Sequence, residues 1–386
     1  MASLLQFYCN GHTWLASQLQ REEIEFQLLG NAFLEIADMN IIYKHYQPTL
    51  AVTVRQTVQK RAEIQARLAD LAPKIPAEKI AGPPFCIFNF ITSVKDGLDV
   101  TMGYPVTGEI KGVETEWLPE MGALATVHRG GPETLGQTVG QVFAYANRYA
   151  IISDEFYREV YLDDDHPEEP GIEVHFIIHN WNKKLAASLE RVLGAQARER
   201  VMQGNEQLGI ESGVDERFQW VKGMLARLDG VADQHQKWDI LSSCAHVFPR
   251  GQVDKLAAVF SEVKTRTGDP LQAVDAVIAF MDADPGWAEA GLREGHTIYA
   301  AKKPRDPKAY AAAKTDLERR QATCFCPLVR TKMDQGMPVD FCNCGSGWFR
   351  QQWEGAIGQA VRVETLKSVL RGDEKCEFAI HLPDDL

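Results

Sequence analysis

The sequence predicts an α+β fold, in which a duplicated β-α-β-β domain is followed by a mainly helical domain that ends in a Cys-rich α+β tail. Three observations lead to this prediction. Short apolar segments surround single amphipathic helices in the first half of the chain, helical periodicity dominates the segment that follows, and cysteines concentrate near the end. The chain has 386 residues, of which 45% are hydrophobic and 24% charged, as is typical of globular proteins. At roughly 100–200 residues per domain, its length accommodates two or three domains.

Residues 1–38 predict a small β-α-β-β unit. Leu4–Cys9 is an apolar run typical of a strand, and Thr13–Glu22 has apolar residues at helical spacing. Two further apolar runs predict strands on either side of Gly30-Asn31, which is a weak form of the hairpin signal. We find no candidate chemistry in this unit.

Residues 39–181 predict a second domain in which one arrangement of strands and a helix occurs twice. Gln59–Leu71 and Thr134–Asn147 each place apolar residues on one helix face. Apolar strands precede and follow both helices, which gives the order β-α-β-β and then β-β-α-β-β.

Four short motifs follow one another in this domain: Val100–Val106, Leu118–Pro119, His128–Pro132 ahead of a helix, and Arg158–Asp163 ahead of the last strand. In this order and at this spacing, the stretch from about 41 to 179 resembles the GyrI-like effector-binding domain, the small-molecule-binding module of many transcription regulators. The resemblance covers roughly a third of the chain. It implies two pseudo-symmetric β-α-β-β halves around an aromatic pocket, which in this family often holds flat, cationic or hydrophobic ligands.

Glu159 and Tyr161 are the candidate catalytic pair of this domain, because alternate residues of a strand point to the same face. A carboxylate inside an aromatic pocket is costly without a partner, so we expect a cationic ligand to neutralise it. Each ring would add cation–π attraction of roughly 0.5–2 kcal/mol. The candidate ligand-binding residues are Phe88, Phe90, Tyr104, Trp117, Phe143, Tyr145 and Glu173.

The leading interpretation is a cytosolic small-molecule-binding protein with Glu159 as the buried carboxylate for an organic cation or a hydrophobic aromatic ligand. The first alternative is a hydrolase of electrophilic small molecules, in which Glu159 positions or deprotonates water and Tyr161 protonates the leaving atom. A solvated Glu159 that pairs with Arg158 or Lys44 is the purely structural alternative.

Residues 182–386 predict a helical domain with a Cys-rich C-terminal subdomain. The segments with helical periodicity are Lys183–Arg200, Glu216–Leu228, Val253–Thr265 and Leu271–Met281. In the tail, the pattern predicts a helix over Ser346–Ile357 and strands over Val361–Leu370 and Cys376–His381.

The tail contains two Cys-x-Cys pairs, which are formed by Cys324, Cys326, Cys342 and Cys344. Four thiolates suit tetrahedral zinc, and an iron–sulfur centre is the second choice, although Cys-x-Cys is tighter than the usual spacing of zinc ligands. Reduced or redox-active thiols are the alternative. Cys244 and His246 would add ligands if the helical segment folds over the tail, whereas we expect Cys376 to be a packing residue.

The motifs Cys-x-Cys-Pro, Cys-x-Cys-x-x-Gly-Trp and Gly-Asp-x-x-Cys-x-Phe make the tail resemble proteins related to the 4-vinyl reductase and L-2-amino-thiazoline-4-carboxylate hydrolase groups. A metal or thiol sensor that acts through these cysteines is therefore the second functional alternative. Phe349 and Trp353 predict core packing, although Gly345-Ser346-Gly347 would let a ligand approach the backbone closely.

Charge and hydropathy restrict the partners. The formal charge of −12 excludes a chain that is basic throughout, so we expect no nucleic-acid partner. No run approaches the roughly 18–20 apolar residues of a membrane span, and the start lacks the features of a secretory signal, so we expect a cytoplasmic protein with no membrane partner. Zinc is the only cofactor that we predict, and a homodimer is left open.

Overall fold

The computed structural model describes residues 40–89, 97–162, 171–247, 250–283 and 290–386. The expected N-terminal unit of residues 1–38 and the candidate Phe90 lie outside these ranges. The described chain forms two compact units. Unit 1 takes the described residues up to Ala146 together with Ser153–Ile178, and unit 2 takes Asn147–Ile152 and His179–Leu386.

Unit 1 is an eight-stranded antiparallel sheet with two helices, as the predicted α+β class requires. Its elements are β1 (Ile42–Tyr46), β2 (Thr49–Val58), α1 (Arg61–Leu71), β3 (Phe85–Asn89), β4 (Leu98–Pro105), β5 (Thr115–Leu118), β6 (Met121–His128), α2 (Pro132–Arg148), β7 (Ser153–Tyr161) and β8 (Ile172–Ile178). The spatial order of the strands is β1-β6-β8-β7-β3-β4-β2-β5.

The strand order shows the duplication. The halves β2-α1-β3-β4 and β6-α2-β7-β8 meet at the antiparallel pair of β3 and β7. Each edge strand crosses to the other half, since β1 pairs with β6 and β5 pairs with β2. The middle of the sheet therefore lies between β3 and β7, where the predicted site residue Glu159 is found.

Both helices of unit 1 cover the same face of the sheet. Ile64 and Leu68 of α1 and Leu135 and Val139 of α2 join one apolar cluster with strand residues such as Met102. Because alternate strand residues share a face, every second residue of β3, β4, β7 and β8 enters this layer. We call this side of the sheet the helical face.

Unit 2 is mainly helical and contains one small sheet. Its helices are α3 (Trp181–Leu193), α4 (Ala195–Met202), α5 (Val214–Asp229), α6 (Gln234–Ser242), α7 (Arg250–Thr267), α8 (Pro270–Asp282), α9 (Pro307–Ala312), α10 (Asp316–Thr323), α11 (Pro327–Arg330) and α12 (Asn343–Ile357). Its strands are β9 (Leu292–Glu294), β10 (Thr297–Ala301), β11 (Arg362–Lys367) and β12 (Glu377–His381), in the order β11-β12-β10-β9.

Two details of unit 2 differ from the prediction. The single helix expected over Lys183–Arg200 is wrong, because Gly194 has a φ of 84° and separates two helices. The hairpin of β9 and β10 was not predicted, because these two strands are short. Within the described part of the chain, no helix has both the length and the apolar character needed to cross a membrane.

Of the two glycines in the predicted ligand approach, Gly347 serves helix packing. Phe349 and Trp353 of α12 are fully buried in a core that α7, α8 and the small sheet also line. A Cβ atom on Gly347 would lie 1.9 Å from the carbonyl oxygen of Ser242 and 2.7 Å from the Cβ atom of Ala245. The glycine therefore allows α12 to approach the backbone at the end of α6.

We expect Gly347→Ala to lower the free energy of unfolding by about 2 kcal/mol or more, because the added methyl group collides with backbone. Gly345→Ala is the matched control in the same helix, since its Cβ atom would meet only Phe378, at 3.8 Å. The control should be neutral or stabilising, because alanine favours helices. Urea denaturation of both variants tests this, and equal stabilities would contradict the proposed contact.

Candidate functional site

Glu159 lies on the helical face of unit 1, in the central strand β7. Its backbone is opposite Cys86 of β3 and Val174 of β8, both of which are buried in the apolar layer beneath the helices. Only 1% of the Glu159 surface remains exposed. A carboxylate in such a place requires hydrogen-bond donors or a positive charge close by.

Three side chains provide those donors. The Tyr157 hydroxyl donates to Oε1 of Glu159 at 2.8 Å, and the Tyr161 hydroxyl donates to Oε2 at 3.0 Å. The guanidinium group of Arg61 forms an ion pair with Oε1. Period-two alternation places the two tyrosines on the same face as Glu159, so the local sequence of β7 builds most of the site.

Arg61 is the first residue of α1 and lies between the carboxylate and two aromatic rings. Its Nη1 atom donates to the Tyr157 hydroxyl at 3.1 Å, and its Cζ atom is 4.9 Å from the centroid of the Phe88 ring. The Phe88 and Tyr157 rings stack with their centroids 4.5 Å apart. The Arg61 side chain is 31% exposed, so it is the member of the ion pair that reaches solvent.

The pKa shifts around the carboxylate fit this arrangement. Burial and the negative charge of Glu159 raise the pKa of Tyr157 and of Tyr161 well above the ordinary value, so both hydroxyls keep their protons and donate. Burial alone would lower the pKa of Arg61, but the attraction of Glu159 outweighs it and the pKa rises. The site therefore holds a buried ion pair with two neutral phenols.

The expected unpaired carboxylate is thus already compensated by the chain itself. Neither Arg61 nor Tyr157 is among the site residues that the sequence predicts. The alternation in Tyr157-Arg158-Glu159-Val160-Tyr161 is a signal that could have identified Tyr157. Arg61 carries no comparable signal, because it is 98 residues away from Glu159 in the sequence.

The structure brings only part of the predicted aromatic set to Glu159. Phe88 lies at the site, whereas the Tyr104 hydroxyl donates to the carbonyl oxygen of Leu68 at 3.2 Å. Phe143 packs edge-on against Phe176 at a centroid distance of 4.8 Å.

Two further aromatic candidates lie in different surroundings. Trp117 is 68% exposed on the edge strand β5, four strands from β7, which corresponds to roughly 19 Å. Tyr145 is a partly buried residue of α2. The structure therefore does not bring Trp117 to the carboxylate.

Glu173 lies on the opposite face of the sheet. Its backbone pairs with Val160, next to Glu159, so its side chain points away from the helices. Glu173 forms an ion pair with Lys44 and accepts a hydrogen bond from Nε2 of His175 at 2.9 Å. Burial alone would raise the pKa of Glu173, but the hydrogen bonds from His175 and Lys44 outweigh it and lower the pKa to about 2.

Six cysteines converge in unit 2. They contact one apolar core and are Cys244, Cys324, Cys326, Cys342, Cys344 and Cys376. All six are free thiols, and burial raises the pKa of each, to about 12 for Cys342 and about 11 for Cys344. We refer to these residues as the thiol cluster.

Hydrogen-bond donors and cations face part of the thiol cluster. The Ser368 hydroxyl donates to the sulfur of Cys342 at 3.2 Å. Burial raises the pKa of Cys326, while the backbone N–H groups of Leu328 and Val329 and the charge of Lys302 act in the opposite direction. These groups would stabilise thiolates if the cysteines lost their protons.

The predicted additional ligands lie at the margin of the thiol cluster. The Cys244 thiol donates to the carbonyl oxygen of Ile240 at 3.3 Å, and its own carbonyl oxygen accepts from Cys344 at 3.6 Å. The His246 ring stacks on His179 at a centroid distance of 4.6 Å. Among the described residues, no group of three or more His, Cys, Asp or Glu side chains is placed so that it could hold a metal ion. The zinc assignment therefore stays a prediction.

No family model matches the chain, and no curated protein matches it. Among solved structures, the C-terminal domain of EcmrR is similar, with 14% identity and a TM-score of 0.33 over 36% of this chain and 97% of that one.

Two other solved structures are similar over part of the chain. EcmrR in a complex with DNA has 15% identity and a TM-score of 0.33, over 46% of this chain and 65% of that one. SAV2435 bound to tetraphenylphosphonium has 16% identity and a TM-score of 0.28, over 38% of this chain and 97% of that one.

The ion pair of Glu173 predicts a measurable loss of stability in acid. Since its pKa falls from 4.5 in the unfolded chain to about 2 in the fold, its contribution is complete above pH 4.5 and disappears as the pH falls through about 2. Wild type should therefore exceed Glu173→Gln by roughly 2–3 kcal/mol at pH 6, and this difference should shrink between pH 4.5 and 2.

Urea denaturation at several pH values measures this difference. Glu78→Gln, at an exposed glutamate of unit 1, is the control and should change the stability little at any pH. A difference between wild type and Glu173→Gln that stays constant down to pH 2 would contradict the proposed ion pair.

Proposed function

We propose that unit 1 is a GyrI-like small-molecule-binding domain that recognises an organic cation through Glu159. The observation that carries this proposal is a carboxylate, 1% exposed, in the apolar layer between the sheet and its helices. A buried carboxylate of this kind costs stability unless something compensates it, so its presence suggests a functional use.

In the free protein, Arg61 takes the position of the ligand's positive charge. Its guanidinium group contacts Glu159, the Tyr157 hydroxyl and the Phe88 ring, which are the contacts that an aromatic cation would seek. An incoming cation would replace Arg61, whose partly exposed side chain can move into solvent, where a guanidinium group is well hydrated.

This exchange keeps the carboxylate compensated at every stage. The hydroxyls of Tyr157 and Tyr161 continue to donate to Glu159 when Arg61 leaves. The net binding free energy of a ligand is then the difference between its interaction free energy with the site and that of the Arg61 guanidinium group. A ligand with larger aromatic surface than a guanidinium group would gain most, because burying apolar surface adds to the ion pair.

The hydrolase alternative receives less support from these contacts. A general base needs a lone pair that a water molecule can reach, but Glu159 is 1% exposed and both of its oxygens already accept hydrogen bonds. Tyr161 keeps its proton, and its hydroxyl donates a hydrogen bond to the same carboxylate rather than toward a separate leaving group. We therefore favour a binding role over catalysis.

The exchange predicts opposite effects of two substitutions on the affinity for tetraphenylphosphonium, an aromatic organic cation and the ligand named for SAV2435. Arg61→Met should strengthen binding by roughly tenfold or more, because it removes the competing guanidinium group. Glu159→Gln should weaken binding by a similar factor, because it removes the negative charge. Isothermal titration calorimetry at fixed salt measures both.

Arg67→Met is the matched control, because Arg67 belongs to the same helix but is exposed and, among the described residues, forms its ion pair with Asp70. It should leave the affinity unchanged. Since Arg61→Met leaves a buried charge uncompensated, the double variant Arg61→Met/Glu159→Gln serves to separate misfolding from loss of recognition. Equal affinity of wild type and Glu159→Gln would rule out this carboxylate as the recognition group.

A metal site in the thiol cluster is the second function that we propose, with zinc first and an iron–sulfur centre second. Its support is the convergence of Cys324, Cys326, Cys342 and Cys344 in one core, with Cys376 as a fifth thiol that the sequence analysis had treated as packing. Metal binding would require side-chain movement and loss of thiol protons. Burial raises the pKa of Cys326 and Cys342, but the donors around them would stabilise the thiolates once a metal replaced the protons.

Protein purified under reducing, metal-replete conditions should contain about one metal equivalent, or one cluster, per chain by elemental analysis. Cys326→Ala/Cys342→Ala should lose the metal, because it removes one ligand from each Cys-x-Cys pair. Cys86→Ala removes a buried thiol of unit 1, and this variant should retain the metal. Metal content near zero in wild type would contradict a metal site.

A further inference from the structure

A second polar cluster lies on the face of the unit 1 sheet opposite Glu159. Arg158 of β7 and His175 of β8 are directly paired, and both point away from the helices. Tyr46 contributes its hydroxyl, 2.8 Å from Nε2 of His175, and Glu173 accepts from the same nitrogen at 2.9 Å. The cluster shares no side chain with the site around Glu159.

Small residues of β6 make this cluster possible. Tyr46 is in β1 and His175 is in β8, so β6 lies between their strands. On this face, β6 places Val127 opposite Glu173, but opposite His175 and Ile177 it carries only the methyl groups of Ala125 and Ala123, both of which are completely buried. Their size lets the Tyr46 ring extend over β6, where its centroid is 4.8 Å from that of the His175 ring.

Arg158 is largely buried, and its Nε atom has no acceptor among the described residues. It is 8% exposed, and its Cζ atom lies 4.5 Å from the centroid of the Phe85 ring and 5.8 Å from that of Tyr46. Within the described chain, its Nε atom has no hydrogen-bond partner, and its guanidinium group forms no ion pair. Two aromatic rings replace the hydration of the buried Nε atom only in part, so an anion that accepts from the guanidinium group would stabilise it.

His175 offers the complementary atom. Because a carboxylate can only accept, the hydrogen bond to Glu173 assigns the proton to Nε2. Burial lowers the pKa of His175, so the ring is neutral and Nδ1 carries a lone pair. Nδ1 is buried and has no partner in the described chain, so it is an unused acceptor beside an unused donor.

The charges of the cluster do not balance. Arg158 and Lys44 are cations, while Glu173 is the single carboxylate that pairs with Lys44. Tyr46 stays neutral because burial and the neighbouring Glu173 raise its pKa. Glu173 also attracts the Arg158 guanidinium group, but one carboxylate cannot balance two cations, so the described cluster holds one positive charge in excess.

We propose that Arg158 and His175 form a binding site for a small organic carboxylate that carries a neighbouring hydroxyl group. The guanidinium group would donate to the carboxylate, and Nδ1 of His175 would accept from the hydroxyl. This site is independent of the cation site proposed at Glu159, because it uses other side chains on the other face of the sheet.

Thermal denaturation of the full chain in lactate, acetate, phosphate or chloride at equal ionic strength tests the site, since a bound anion raises the melting temperature in a concentration-dependent way. Lactate should raise it most, and acetate less, because acetate lacks the hydroxyl. Arg158→Met should weaken the effect of lactate by roughly tenfold or more. Arg55→Met should retain it, because the Arg55 guanidinium group already forms a bidentate pair with Asp99.

The stability of Arg158→Met without added anions gives a second readout. We expect it to equal or exceed that of wild type in chloride, because methionine removes a buried unpaired charge. A clear loss of stability would instead indicate a purely structural arginine and overturn the proposal. Three other outcomes would also overturn the proposal. They are an effect of lactate that persists in Arg158→Met, equal effects of lactate and acetate on the melting temperature, and stabilisation by phosphate alone.

Discussion

The buried carboxylate of Glu159 is the constraint on which the interpretation of unit 1 depends. An apolar layer between a sheet and two helices tolerates a negative charge only if donors surround it. Here Arg61 and two tyrosine hydroxyls surround it, and the aromatic ring of Phe88 completes the environment of the guanidinium group. In the proposed binding of a cationic ligand, the ligand would therefore replace Arg61 at the carboxylate rather than meet an unpaired Glu159.

The sequence predicts much of this fold because strand alternation and helix periodicity are local properties. The alternation in β7 is enough to place Tyr161 beside Glu159, and the repeated β-α-β-β order follows from apolar runs. Arg61 could not be predicted, because contacts between residues 98 positions apart depend on how α1 crosses the sheet. For the same reason, the sequence did not indicate that Trp117 lies on a distant edge strand.

Buried polar groups occur at three places, namely the two faces of the unit 1 sheet and the thiol cluster of unit 2, and their burial is compensated differently at each. At Glu159 a buried charge meets its partner, whereas at Arg158 a buried charge has none within the described residues. In the thiol cluster, the groups are buried in their neutral form, and burial raises their pKa values. Burial of a polar group without compensation is therefore the feature that separates candidate sites from ordinary packing.

The most direct test follows the guanidinium group of Arg61 itself. In ¹⁵N NMR spectra of the free protein, the Arg61 side-chain signals should show slow exchange with water, because its hydrogen bonds to Glu159 and Tyr157 restrain it. The exchange account predicts that saturating tetraphenylphosphonium removes this protection and gives the signals of a solvated arginine. Ligand binding that leaves the Arg61 signals protected would contradict it.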